Sequence, residues 1–384
     1  MVAATSQEVA DLYKSCLTTL ESSKARIKVA LRSFVDANDN PSTSSNYSST
    51  EPDPIKVFVA MLENSVVQQD SSWMLLLLRA LKILSRKRPN RLAFGSAGLR
   101  AIAAALVDPV SNKIAAEGAN VLLNVCYEPD NVQALLETPC VQQLLLFLME
   151  DDEELQANAA GAIQSICFQE GGRRQGVEGA GHVYAKGGIP ALSSLLESCN
   201  SKVVSRAAGA IHNLSSSAEA IRDVRTYGAL PTLVSLLQAE RLGVAASAAG
   251  ALQNVSREVA SRLVIRDLDA VPPLARLLSA SDVQAQVCAS GALLNIIGPD
   301  LDSAEYLRRE RAEQRAAATA VLTGAGGAGG AHATGEGAPQ PWQPSQRRGL
   351  GRLMALCMAT SAIYDSLFDA QPELPELPPP SGRG

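Results

Sequence analysis

Residues 207–215 read Ala-Ala-Gly-Ala-Ile-His-Asn-Leu-Ser, and residues 248–256, 41 positions later, read Ala-Ala-Gly-Ala-Leu-Gln-Asn-Val-Ser. The register of these two runs extends along the chain in both directions. It aligns six residues, here called the ladder positions, at intervals of 41, 41, 48, 41 and 41: Ile83, Asn124, Ser165, Asn213, Asn254 and Asn295. A fixed period of this length indicates stacked supersecondary units rather than one globular core.

A second column of apolar residues repeats with the same period. Its members each precede a ladder position by 24 residues: Val141, Ile189, Leu230 and Val271. The gap from a ladder position to the next member of this column is 17 residues, except after Ser165, where it is 24. The irregular spacing is therefore explained by a seven-residue insertion within Gln169–Lys186.

Each ladder position lies on a predicted long helix. Apolar residues recur ten and two positions before it and one position after it, and separations of eight and eleven residues return to nearly the same helical angle. A shorter helix precedes the long one, because apolar residues recur three, six and seven positions after the second column. Pro190, Pro231 and Pro272 lie near the start of that shorter helix, where a missing N–H costs little. No strand pattern competes in these repeats.

The two quoted runs resemble armadillo repeats. The resemblance also rests on helix starts such as residues 187–192, which read Gly-Gly-Ile-Pro-Ala-Leu, and it covers residues 55–298. The first repeat departs from it, with Ile83 in place of the Asn and Arg79 in place of a Gly. The resemblance implies an all-α fold, an armadillo-type right-handed α-solenoid of six repeats with helical N- and C-terminal appendages.

Composition shifts divide the chain into five segments. These are an N-terminal helix with a Ser/Asn/Pro-rich linker (1–54), the solenoid (55–298), a charged helix (299–323), a disordered Gly/Pro-rich linker (324–349) and a C-terminal helix with a Pro-rich tail (350–384). The N-terminal helix can cap the stack. The apolar pattern of Leu350–Phe368 leaves two roles open, since this helix either caps the far end of the array or docks on a partner.

The sequence contains no constellation for catalysis or metal binding. The three histidines, His182, His212 and His332, are far apart, and the glycine runs lack the Lys-Ser/Thr pair of a phosphate-binding loop. The seven cysteines show no CxxC spacing, which favours buried free thiols in a reducing compartment over disulfides or metal ligands. We therefore expect a protein without enzymatic activity, metal or cofactor.

Charge and hydropathy argue against two classes of partner. Lys and Arg total 34 against 39 Asp and Glu, a net charge of −5, whereas a nucleic-acid groove needs a sustained basic stripe. The most apolar run, Trp73–Leu78, is too short to span a bilayer and ends at Arg79. The N-terminus also lacks the pattern of a signal peptide. We expect a cytoplasmic protein that binds neither nucleic acid nor membrane.

The predicted binding residues lie at and beside the ladder positions. In the armadillo family this position lines a concave groove, where an Asn amide can bond the backbone of an extended partner segment. The resemblance therefore implies a partner-binding groove that includes Asn124, Asn158, Arg206, Asn213, Asn254, Arg257 and Asn295. An alternative stays open, in which these Asn side chains bond neighbouring turns within the protein itself.

The residues four positions before the ladder positions argue against one class of peptide ligand. The nuclear-import adaptors of the armadillo family carry a Trp there, whereas this chain has Arg79, Asn120 and four glycines. The resemblance therefore argues against recognition of basic nuclear-localisation peptides.

The resulting functional prediction is a non-enzymatic scaffold that binds other proteins, as an extended segment or a helix, through the groove. Catenin-like scaffolds have longer arrays and a basic groove, and ubiquitin-ligase members have a catalytic module that this sequence lacks. By elimination, the chain resembles the small armadillo subunits of the ciliary or flagellar axoneme, including radial spokes, with axonemal proteins as partners. A soluble cytosolic adaptor in signalling or trafficking is the alternative, and an enzyme hidden in the appendages is a remote one.

Overall fold

The computed structural model describes residues 3–40, 52–169 and 187–297, which are all-α. These ranges contain nineteen α-helices and one 3₁₀ turn at Leu17–Thr19. In chain order the helices are α1 (Ser6–Ser15), α2 (Leu20–Asn38), α3 (Pro52–Leu62), α4 (Ser65–Gln68), α5 (Ser71–Leu84), α6 (Arg88–Leu92), α7 (Gly95–Ala105), α8 (Asn112–Val125), α9 (Pro129–Leu136), α10 (Cys140–Phe147), α11 (Glu153–Phe168), α12 (Gly188–Leu195), α13 (Ser201–Leu214), α14 (Ala218–Thr226), α15 (Ala229–Leu236), α16 (Leu242–Val255), α17 (Val259–Asp267), α18 (Val271–Leu277) and α19 (Val283–Ile297).

Several predicted segments lie outside the described residues. They are the body of the insertion (170–186), the charged helix, the Gly/Pro-rich linker, and the C-terminal helix with its tail. The described chain divides into two compact units, unit 1 up to Leu233 and unit 2 from Val234, with the boundary inside α15. The prediction of an all-α armadillo solenoid is confirmed, since the long helices follow one another as stacked layers within the units.

In unit 1 the long helices pack in chain order, α2 on α5, α5 on α8, α8 on α11 and α11 on α13. The shorter helices form a second layer, in which α1 contacts α3, α3 contacts α7, and α7 contacts α9. In unit 2 the long helices α16 and α19 pack on each other, and α17 and α18 pack on α19. The six ladder positions therefore lie on α5, α8, α11, α13, α16 and α19.

The ladder helices of unit 1, α5, α8, α11 and α13, begin at side-chain caps that share one register, thirteen residues before the ladder position. The cap oxygens accept backbone N–H groups at short distances in α5, α11 and α13, namely Asp70 from Trp73 (3.0 Å), Asp152 from Leu155 (2.9 Å) and Asn200 from Lys202 (2.9 Å). Ser111 caps α8 in the same way at 3.4 Å, and in unit 2 Asp282 accepts from Ala285 at 2.7 Å. Each cap satisfies a donor that the first turn leaves unpaired.

Small residues recur on the long helices six positions before the ladder positions. Ala159 and Ala207, six residues before their ladder positions, are fully buried. A Cβ added to Gly118 at the same register would overlap the side chain of Leu106. At Gly118 the missing side chain therefore leaves room for Leu106, which follows α7.

A third, short helix opens several repeats, in addition to the long and the shorter helix that the sequence predicts. The short helices are α6, α9, α14 and α17. At the first two, buried Asn side chains turn back to the end of the preceding long helix, with Asn90 Nδ2 donating to Leu84 O (3.0 Å) and Asn131 Nδ2 to Val125 O (2.9 Å). The amide satisfies a carbonyl left open at the helix end and starts the next helix.

The N-terminal region adds one more layer in front of the repeats. Helix α2 packs on α5, and Arg86 at the end of α5 donates to the carbonyls of Asn38 (2.9 Å) and Asp39 (2.7 Å) at the end of α2. A guanidinium at that position satisfies terminal carbonyls and complements the negative end of the helix dipole. The predicted boundary between residues 54 and 55 falls inside α3, which begins at Pro52.

Candidate partner-binding face

The ladder Asn residues of unit 1 link each long helix to the one before it. Asn124 in α8 is half-buried, and its Nδ2 donates to Ser85 Oγ (3.0 Å) and Lys82 O (3.4 Å) of the α5 layer. Asn213 in α13 is also half-buried, and its Nδ2 donates to Gln164 O of α11 at 2.8 Å. The side chain therefore bridges adjacent layers at corresponding positions.

Unit 2 repeats this geometry. Asn295 Nδ2 in α19 donates to Gln253 O (2.9 Å) and Ser256 Oγ (3.1 Å) of the α16 layer. Asn254 in α16 is half-buried. Arg257 is exposed, and its Nε donates to Asn254 O at 3.1 Å. The alternative role left open by the sequence, bonding within the protein, is therefore present in both units.

The interlayer bonds use only one half of the amide. An Asn side chain has an NH₂ group that donates and a carbonyl oxygen that accepts. At Asn124, Asn213 and Asn295 the NH₂ group faces the preceding helix, and within the described ranges no residue donates to Oδ1. Each of these residues thus retains an acceptor on a half-buried side chain.

Asn158 differs from the other predicted groove residues. It is 1% exposed, its Nδ2 donates to Ala116 O (3.1 Å), and its Oδ1 accepts from Asn120 Nδ2 (3.3 Å). Because both halves of its amide are engaged inside the stack, Asn158 links α8 to α11 and does not present its side chain to a partner. The sequence gives no signal for this difference, since Asn158 and Arg206 occupy the same register.

Two ladder positions carry no amide. Ile83 in α5 is fully buried, and Ser165 in α11 is 3% exposed. In unit 1 the accessible acceptors therefore belong to Asn124 and Asn213, with a gap at α11 between them.

The glycine column four residues before the ladder positions is covered by the protein itself. A Cβ at Gly161 would overlap Leu123, and a Cβ at Gly209 would overlap the side-chain amide of Gln164, both from the preceding long helix. Gly291 meets Gln253 in the same way in unit 2. Each glycine thus accommodates a side chain one residue before the previous ladder position, and the column offers no aromatic platform for a ligand.

Charges on the α5–α8 part of unit 1 are paired. Glu117 of α8 forms ion pairs with Lys82 (2.9 Å) and Arg79 (3.6 Å) of α5, and Asp39 after α2 pairs with the same two cations at 3.2 and 2.7 Å. Burial acts to raise the pKa of Asp39, but hydrogen bonds and charge interactions with Arg79 and Lys82 outweigh it, so the pKa is lowered. These side chains hold the first three layers together.

The α13 part of the same unit carries a different charge pattern. Lys202 is exposed and Arg206 is half-buried, one helical turn apart. Arg206 Nη1 donates to Gln164 Oε1 at 3.3 Å. Desolvation lowers the pKa of Lys202, and the nearby positive charge of Arg206 lowers it further by a smaller amount.

The buried thiols offer no reactive centre. Cys126, Cys140 and Cys167 are buried and form no disulfide, and burial raises the pKa of Cys140 to about 12. A thiol with a raised pKa is a poor nucleophile. Within the described ranges no three His, Cys, Asp or Glu side chains are grouped to hold a metal. His212 lies half-buried on α13, whereas His182, His332 and Cys357 lie outside the described residues.

None of the helices in the described ranges combines the length and the apolarity needed to cross a membrane.

Comparison with known proteins supports the assignment of the repeats. The armadillo/beta-catenin-like repeat family matches residues 128–168, 178–216 and 217–257. Among curated proteins, no sequence matches this chain closely enough to count as a relative.

Solved structures of engineered proteins are similar to this chain. One engineered protein of the Northeast Structural Genomics Consortium is 25% identical, with a TM-score of 0.62 over 76% of this chain and 68% of that protein. A second is 27% identical, with a TM-score of 0.56 over 63% of this chain and 96% of that protein. A designed armadillo repeat protein in complex with the peptide (KR)4 is 25% identical, with a TM-score of 0.53 over 62% of this chain and 98% of that protein. This chain therefore carries armadillo repeats and has the fold of an armadillo-repeat scaffold.

Proposed function

We propose that the protein is a non-enzymatic scaffold that holds an extended segment of another protein against its long helices. The observation that carries this proposal is the orientation of the ladder amides. At Asn124 and Asn213 the donor half is used between layers, while Oδ1 has no donor in the described part of the chain. A backbone N–H of a partner segment is the matching group, and any partner sequence other than proline supplies it.

The interlayer bonds pre-organise these acceptors. Asn213 Nδ2 is fixed by Gln164 O at 2.8 Å, and Asn124 Nδ2 has two acceptors on the α5 layer. A side chain already held in place loses little rotamer freedom when a ligand binds, which lowers the entropic cost of binding. The structural and the binding roles of the ladder are therefore compatible on one side chain.

The designed armadillo repeat protein that was solved with (KR)4 supports the general mode of binding, since its fold accommodates a peptide. We do not extend its ligand to this chain. The glycine column is filled by Leu123 and Gln164, and the exposed charge on α13 is positive. A strongly basic peptide would meet like charges at Lys202 and Arg206.

The test of this function removes the acceptors at two layers. We expect the N124A/N213A double variant to lose capture of partner proteins from a native extract by about tenfold or more, since each lost polar contact is worth about 1 kcal/mol. N120A is a matched control, because this residue lies on the same face of α8 but donates within the stack to Asn158. Partner capture that persists in the double variant, measured by affinity purification with mass spectrometry, would remove the ladder from the binding mechanism.

The finer assignment to the ciliary axoneme stays a proposal drawn from elimination within the armadillo family. It predicts that the protein remains with axonemal microtubules after detergent extraction of cilia. A soluble adaptor, the alternative, would be released with the detergent-soluble fraction. Sedimentation of extracted cilia followed by immunoblotting distinguishes the two locations.

A further inference from the structure

Two cations on the first turns of α13 form no ion pair within the described ranges. Lys202 and Arg206 lie four residues apart, so their side chains emerge from the same face of the helix. Within the described ranges neither side chain forms an ion pair, and the only hydrogen bond shown for the Arg206 guanidinium is the 3.3 Å bond to Gln164. The guanidinium retains four further N–H donors.

This placement is unfavourable for the free protein for three independent reasons. Lys202 is the second residue of α13, so its positive charge lies at the positive end of the helix dipole. Like charges four residues apart on a helix repel each other. Desolvation acts on Lys202 as well, and the carboxylates of Glu154 and Glu117 offset these effects only in part, because the pKa of Lys202 is still lowered.

The matching position on α8 shows that the stack does not require two cations there. Lys113 is the second residue of α8, in the register of Lys202, and four residues later Glu117 occupies the register of Arg206. That pair has opposite charges, and Glu117 continues into the ion pairs with α5. The two positive charges on α13 are therefore a local feature of that helix.

We propose that Lys202 and Arg206 bind a carboxylate side chain, Asp or Glu, of the extended segment held by the ladder. The proposal rests on the function proposed above and specifies the chemistry of the partner. Lys202, Arg206 and Asn213 lie on one face of α13, because eleven and seven residues each return to nearly the same helical angle. Roughly 10 Å of helix separates Arg206 from Asn213, at 1.5 Å per residue. A Glu side chain and the Arg206 side chain, extended toward each other, bridge this separation while Asn213 Oδ1 accepts from the partner backbone.

The experiment uses the full chain and peptides selected from a random 16-residue display library. Selected peptides are measured by isothermal titration calorimetry against the wild type, K202E, R206E and the neutral variants K202Q and R206Q. K113E is the matched control, since it makes the same charge change at the same register of α8. N124A/N213A tests dependence on the ladder, and thermal unfolding checks that each variant is folded.

We expect the selected peptides to be enriched in Asp and Glu. K202E and R206E should weaken binding by about tenfold or more, as expected for loss of a close charge pair. K113E should change it less than about threefold, because it is an exposed charge off the α13 face. Replacing the critical acidic residue of the peptide with Gln should remove most of the difference between wild type and K202E, and raising the salt concentration should weaken wild-type binding.

Three results would overturn the inference, and they are distinguishable. Peptides that depend on Asn124 and Asn213 but are indifferent to K202E, R206E and both neutral variants would leave the ladder function standing and refute the acidic ligand. Selection of basic peptides such as (KR)4 would refute it equally. If no selected peptide depends on Asn124 and Asn213, the ladder function fails and the acidic-ligand proposal fails with it.

Discussion

Charged residues hold the layers together at one end of unit 1 and are left unpaired at the other. Lys82 and Arg79 of α5 each form ion pairs with both Asp39 and Glu117, so both cations have partners within the protein. On α13, Lys202 and Arg206 have no ion pair in the described structure. One framework of stacked helices therefore carries a closed end, where charge contributes to stability, and an end where charge is available for a ligand.

The largest expected effect is at the closed end. Glu117→Ala should lower the free energy of unfolding by about 2–3 kcal/mol, because Lys82 and Arg79 lose a partner in a mostly buried site. Glu154→Ala is the matched control, an exposed carboxylate on the next long helix, and should change stability by less than about 0.5 kcal/mol. Urea unfolding monitored by circular dichroism measures both. Equal effects of the two substitutions would remove the distinction between a closed and an open end.

The next largest expected effect on stability is at Asp70, and it depends on pH through the pKa of this carboxyl group. Burial acts to raise it, but hydrogen bonds from Lys28, Ser72 and the Trp73 N–H, with the charge of Lys28, outweigh burial and lower the pKa from 3.8 to about 2. A lowered pKa means that the carboxylate stabilises the fold above pH ~4 and that this contribution disappears as the pH falls towards 2. The contribution is about 2 kcal/mol, at 1.36 kcal/mol per pKa unit.

Asp70→Asn isolates this charge, because Asn keeps the cap on α5 while losing the ion pair with Lys28. The wild type should exceed this variant in stability at pH 6 and approach it at pH 2.5. Asp70→Ala loses the cap as well and should be less stable than Asp70→Asn by about 1 kcal/mol at all pH values. Thermal unfolding across pH 2–7 gives the comparison. Parallel curves for wild type and Asp70→Asn would contradict it.

A smaller effect is expected at the ladder itself. Asn213→Ala should lower the free energy of unfolding by about 1 kcal/mol, the net value of the bond to Gln164 O. The loss of binding in the N124A/N213A variant should exceed what this loss of stability explains. Binding measured well below the melting temperature separates the two roles, and a binding loss that vanishes on cooling would assign Asn213 a structural role alone.

The smallest effect has the opposite sign. Lys202→Ala should raise the free energy of unfolding by about 0.5 kcal/mol, because it removes a cation from the dipole end and from the neighbourhood of Arg206. Lys113→Ala should raise it by less, because the loss of the favourable interaction with Glu117 offsets the relief at the dipole end. Both differences should shrink in 1 M salt. A loss of stability in Lys202→Ala would show that α13 depends on this charge.

The repeat register alone predicted most of the fold. Columns of buried side chains such as Leu122 and Ile163 recur because the same contact is made in each layer, and this periodicity is visible in sequence. The short opening helices were not predicted, because the two apolar columns that define the repeat lie on the other helices. Their available signals were local, namely Pro89 and Pro129 near a helix start and the buried Asn90 and Asn131 that follow.

The candidate site was predicted less completely, for a physical reason. A ladder Asn is recognised by position, but the direction of its amide depends on which carbonyl of the previous layer lies within reach. Asn158 illustrates this limit, since it shares a register with Arg206 yet is enclosed by Ala116 and Asn120. Whether Lys202 and Arg206 form ion pairs likewise depends on where the carboxylate side chains of other helices lie. The sequence of a single repeat does not contain that information.

The column of helix caps bears on how such a chain changes length over evolutionary time. Asp70, Ser111 and Asp152 each supply the start signal of their own helix and lie 41 residues apart. Removal or duplication of 41 residues in phase with these caps leaves every remaining long helix with an intact beginning. The array can therefore lengthen or shorten by whole repeats without a change in the sequence of any single layer.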